Sequence, residues 1–156
     1  MHKQIILVGQ CHHRKSLASS TFVDRDRFRR DLAISDVDGT DQLRVLSGDD
    51  PLLWPILAIG GKGVISVTAN ILPTKVAAMC EAAAKGNATE ARSLHYELMD
   101  INDTLFIDTN PVPVKAALHL MGKIESELRE PLVGLSSDHL EKLKKVMAFH
   151  GLPSIK

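Results

Sequence analysis

Aromatic residues are scarce: the 156-residue chain has one Trp, one Tyr and four Phe. That scarcity argues against stacking platforms for single-stranded nucleic acid. An excess of charge of either sign is also missing. Nineteen Lys and Arg balance nineteen Asp and Glu, so no global field draws the chain to nucleic acid or acidic lipid. No apolar run approaches the roughly 20 residues of a membrane span. The short run Ile5-Ile6-Leu7-Val8 is too brief for a secretory core and has no convincing small-residue cleavage site. Cysteine is nearly absent. Cys11 and Cys80 lie far apart, and a reduced, cytoplasmic protein is expected.

What is present is an ordinary globular composition, long enough for one domain with a sizeable core. The style changes near residue 42. Before it lie the irregular, polar Cys11-His12-His13-Arg14-Lys15-Ser16 and the mixed-charge run from Asp24 to Asp31. Adjacent histidines on a loop point different ways, and no second Cys/His pair lies at zinc spacing, so no metal is expected. After residue 42, apolar stretches alternate with clean turn signals.

Leu43-Arg44-Val45-Leu46 reads as a buried strand ending in Ser47-Gly48-Asp49-Asp50. Asp50 is an expected N-cap with Pro51 at the first helical position. Leu52 to Ile59 reads as a helix stopped by Gly60-Gly61, with Pro55 forcing a late start or a kink. Val64-Ile65-Ser66-Val67 is the second expected strand, which makes a βαβ unit. Helices are expected over 73–84, 89–101 and 113–121. A last helix follows Ser136-Ser137-Asp138, with Leu140, Leu143, Val146 and Met147 as its apolar stripe.

Three blocks stand out together: Ser47-Gly48-Asp49-Asp50, the run Gly60-Gly61-Lys62-Gly63-Val64-Ile65-Ser66-Val67-Thr68-Ala69-Asn70, and Asn110-Pro111-Val112-Pro113-Val114-Lys115. In this order and at this spacing they resemble the carboxy-terminal half of the 4-hydroxy-tetrahydrodipicolinate synthase (dihydrodipicolinate synthase) family. The related N-acetylneuraminate lyases differ at the first two blocks. The resemblance implies an α/β fold: a partial (β/α) TIM barrel with strands seven and eight, followed by a carboxy-terminal helical region. On this reading 1–41 is a non-matching segment that could be poorly ordered, 42–86 the last βαβα portion of the barrel, and 87–156 the helical region.

The resemblance also implies chemistry. The family is a class I aldolase-type lyase that condenses pyruvate with L-aspartate-4-semialdehyde in lysine and diaminopimelate biosynthesis. It works through a lysine Schiff base, needs no metal or organic cofactor, and commonly forms a homotetramer. Reactions of a (β/α) barrel take place at the carboxyl ends of its strands. Gly48 lies at such an end, where a side chain would intrude on a small keto-acid. The resemblance puts Ile65 at the pyruvate site through its backbone. Asn110-Pro111-Val112-Pro113 is an expected extended turn that seats the helical region.

The Schiff-base lysine has no counterpart in its usual setting. Counting back from Gly48 by the family's spacing lands near Val23, and Lys15 is the nearest lysine, a weak candidate in a surface-like setting. Tyr96 lies too far along the chain to replace the family's proton-shuttling tyrosine. A truncated form, inactive alone, is the expectation.

Two other readings compete. Leu32-Ala33-Ile34-Ser35-Asp36-Val37-Asp38-Gly39-Thr40 resembles the first motif of haloacid-dehalogenase-type phosphatases. Asp36 would then be the nucleophile and Asp38 the general acid and base, with magnesium nearby. Asp49-Asp50 follows too soon to leave room for that fold's sheet, and an Asp-Gly turn explains the same residues. The third reading is a non-catalytic interaction fragment.

Overall fold

The computed structural model describes residues 4–8 and 43–154. Two compact units divide between Ser66 and Val67.

In the first unit, β1 (Gln4–Val8), β2 (Leu43–Ser47) and β3 (Gly63–Val64) form a sheet in the order β1-β2-β3. Both pairings are parallel, with Val8 opposite Ser47 and Ser47 opposite Val64. Parallel neighbours need a crossover, and a short one joins β2 to β3. It consists of a 3-10 turn, Asp50–Leu52, and α1, Leu53–Ala58. Pro55 is the third residue of α1, where its missing N–H would have had no intrahelical partner anyway. The helix therefore starts late, as Pro55 requires. Leu53 and Ile56, one turn apart, are almost wholly buried. Gly60 has φ of +101°, a left-handed conformation that ends the helix at little cost for glycine. Gly61 follows with its N–H on the Ile56 carbonyl at 2.8 Å.

Two expectations are corrected here. The second strand covers Gly63–Val64 and not Val64–Val67. Val67 already has helical angles, and Asn70 closes a 3-10 turn back onto it. Both the Asn70 N–H and its side-chain amide donate to the Val67 carbonyl, at 3.1 and 2.9 Å. Asp50 is also not the N-cap. Asp49 holds that position, without a side-chain capping bond, and Asp50 lies inside the turn.

The second unit is helical. It contains α2 (Pro73–Ala84), α3 (Ala88–Glu97), α4 (Met99–Thr104), α5 (Val112–Leu120) and α6 (Ser137–Phe149). Local signals set most of the ends. Asn87 caps α3: its side-chain oxygen accepts from the Glu90 N–H, and its amide donates to the Glu90 carboxylate at 2.7 Å. Ser136 caps α6. Gly86, Gly122 and Gly151 end their helices with φ between +68° and +75°. Pro111, joined to Asn110 by a cis bond, precedes α5 with φ −100° and ψ 19°, so the expected extended geometry does not hold there.

The expected single helix over 89–101 is broken. Leu98 ends α3 and begins α4. The bend lets Leu98, Ile101 and Leu105 all reach the core, each no more than 1% exposed. Leu143 and Met147 of α6 are fully buried in the same layer, while Leu140 and Val146 are half-buried.

Polar side chains tie this layer together over long sequence distances. Buried Thr68 donates its hydroxyl proton to Asn102 at 2.7 Å. His150, on a side chain almost wholly buried, reaches Asp100 at 2.8 Å. Lys75 lies 3.3 Å from the other His150 ring nitrogen and donates to Glu97 at 2.7 Å.

Candidate functional site

The carboxyl ends of β2 and β3 lie side by side. Ser47 ends β2 and is fully buried. Its hydroxyl donates to the Asp49 carbonyl at 2.6 Å and accepts from the Asp49 N–H at 3.2 Å. These two bonds cinch the chain into a tight turn around Gly48, which is left exposed at the strand end. The Ile65 N–H donates to the Ser47 carbonyl at 2.8 Å, extending the ladder one step beyond Val64. That step sets Gly48 beside Ile65. Among the described residues the Ile65 carbonyl accepts no hydrogen bond, and the residue is 58% exposed.

Asp50 closes the turn from below. It is buried, and its carboxylate accepts a hydrogen bond from the Ser66 hydroxyl. The two loops that leave the strand ends are therefore linked by side chains as well as by the ladder. The sequence marked Gly48 and Ile65 and missed Ser47 and Ser66. A hydroxyl at the last residue of a strand, followed by Gly-Asp, was the available signal for Ser47.

No amine of the first unit's described residues stands at this edge. Lys62 is exposed and precedes β3, so it belongs to the opposite end of the strands. β1 contains no lysine between Gln4 and Val8. Lys15, Asp36, Asp38 and the Cys11-His12-His13 stretch lie outside the described residues. Among the described residues no three His, Cys, Asp or Glu side chains gather closely enough for a metal ion. No described helix is long and apolar enough to cross a membrane.

A parallel strand–helix–strand unit with its working loops at the carboxyl ends, followed by packed helices, is the architecture of part of a (β/α) barrel. Sequence and structure comparisons give that part a family. The dihydrodipicolinate synthetase family model matches residues 32–149, and the chain belongs to that family. The 4-hydroxy-tetrahydrodipicolinate synthase of Citrifermentans bemidjiense is 54% identical over 107 residues, which is 69% of this chain and 37% of the relative. Dihydrodipicolinate synthase from Aquifex aeolicus superposes with a TM-score of 0.73 at 43% identity, over 75% of this chain and 40% of that one. The chloride-inhibited enzyme from Acinetobacter baumannii, solved in complex with pyruvate, gives a TM-score of 0.73 at 35% identity, over 80% and 42%. The chain thus spans well under half the length of the relatives it matches.

Proposed function

We propose that this chain is the carboxy-terminal part of a pyruvate-dependent lyase of the 4-hydroxy-tetrahydrodipicolinate synthase type. On this reading β2 and β3 are the seventh and eighth strands of the barrel, and Gly48 and Ile65 form one wall of the keto-acid site. One observation supports it most: Gly48 and Ile65 adjoin at the carboxyl edge of a parallel sheet. Pyruvate is small, and the missing side chain at Gly48 leaves room for it against the backbone. The Ile65 carbonyl can accept a hydroxyl or iminium proton formed at the keto carbon. The Asp50–Ser66 link holds the two loops at fixed spacing, which is the positioning such a wall requires.

The chemistry needs one group more. A neutral lysine amine attacks the keto carbon, water leaves, and an iminium forms. Loss of a methyl proton gives an enamine, whose carbon attacks the aldehyde of L-aspartate-4-semialdehyde. Within the first unit, no described lysine stands where it could begin that sequence. On this reading the amine is supplied by another part of the barrel, and the chain alone is inert. No metal or organic cofactor takes part.

The test is complementation. The chain is mixed with the unmatched amino-terminal part of the Citrifermentans bemidjiense synthase, and condensation of the two substrates is assayed. Activity is expected in the mixture only. Gly48→Leu is expected to lower it by about a hundredfold, because a small misplacement at the reacting centre has that effect. Turnover by the chain alone, or full activity with Gly48→Leu, would overturn the reading.

A further inference from the structure

A cavity lies wholly within the helical unit. Its volume is about 630 Å³, within the range of small-molecule sites. It lies between α5, α6 and the irregular segment 123–135 that joins them. That segment is pinned to α5 by two side chains. The His119 ring donates from Nδ1 to the Ile124 carbonyl at 3.1 Å, and the Lys115 ammonium donates to the Glu127 carbonyl. The cavity is thus built from anchored walls and is no gap under a loose loop.

The lining is one-sided in chemistry. Leu120, Leu128, Leu135 and Leu140 give it an aliphatic floor. Lys115, His119 and Lys144 are the titratable groups of its described lining, and none of the described lining residues is a carboxylate. Ser126 and Ser154 add hydroxyls. One Lys144 donor is engaged by Glu141 at 2.9 Å, outside the lining, and one Lys115 donor by the Glu127 carbonyl. An ammonium has three donors, so each lysine can give others to a ligand. Aliphatic walls whose charged side chains are lysines complement an apolar body ending in an anion.

We propose that this cavity binds a medium-chain aliphatic carboxylate, with the carboxylate at Lys115 and Lys144 and the alkyl body over the leucines. This goes beyond the lyase reading and does not depend on it.

Octanoate is titrated into the full chain and followed by backbone amide shifts, with 1-octanol as the neutral comparison. Saturable octanoate shifts at Ser126, Gly134 and Ser154 are expected, with octanol binding about tenfold more weakly, the equivalent of one charge-assisted contact. Lys144→Gln and Lys115→Gln should each weaken octanoate about tenfold and leave octanol unchanged, while Lys144→Arg keeps binding. No saturable shift at these amides, equal binding of octanol, or octanoate affinity indifferent to both Gln variants would each overturn the proposal.

Discussion

Ser66 and Asp50 are 16 positions apart and share a hydrogen bond at the carboxyl edge of the sheet. A bond to a charged group contributes about 1.5–3 kcal/mol, and more is lost when the charge is buried. Ser66→Ala should therefore lower stability by about 2 kcal/mol in urea unfolding, with Ser66→Thr recovering most of it. Gly61 makes a different local demand. A Cβ there would come within 2.4 Å of the Ile56 methyl and 2.7 Å of the Ile56 carbonyl oxygen. Backbone cannot yield as a side-chain tip can, so Gly61→Ala should cost about 1–3 kcal/mol. Gly134, with nothing within 4 Å of its added Cβ, should tolerate alanine to within about 0.5 kcal/mol. Equal melts for the two alanine variants would contradict this contrast.

At the scale of elements, the helices were legible because their signals are local. Asn87 with Glu90, Ser136 with its hydroxyl cap, and Gly86, Gly122 and Gly151 all act within a turn of the helix end. The break at Leu98 was not legible. Propensity and apolar spacing both run on through it, and only packing of Leu98, Ile101 and Leu105 into one core explains the bend. β1 was missed for a related reason: Ile5 to Val8 is a plausible strand only if a partner exists, and β2 lies more than thirty positions away. The polar contacts Thr68–Asn102 and Asp100–His150 are equally invisible to spacing rules. Leu98→Ala should cost about 2–5 kcal/mol, since it opens a cavity under the bend. His95, next in the same region, has its Nδ1 buried with no hydrogen-bond partner among the described residues. Burial lowers its pKa below the ordinary 6.5. The unfolded chain then takes up the proton first, so this group makes stability fall as pH drops through 6.5. Thermal melts from pH 7.5 to 5 should show that slope reduced in His95→Gln; an unchanged slope would contradict it.

At the scale of the whole molecule, the chain carries a parallel strand–helix–strand unit and a helical unit, matched to less than half of each relative compared. The three sequence blocks made the family legible because each reflects a constraint on backbone: a turn at a strand end, a helix stop before a strand, a proline-fixed entry to a helix. The closure of a barrel is not a local property, and no spacing rule conveys it.

Borohydride reduction in the presence of pyruvate, read by peptide mass spectrometry, is the most direct measurement. It is run on the chain mixed with the amino-terminal part of a relative and on the chain alone. A reduced adduct on a lysine of the complementing part, and on none in this chain, is the expected result. An adduct on Lys15, Lys62 or any other lysine of this chain would contradict the central claim that it brings the wall and not the amine.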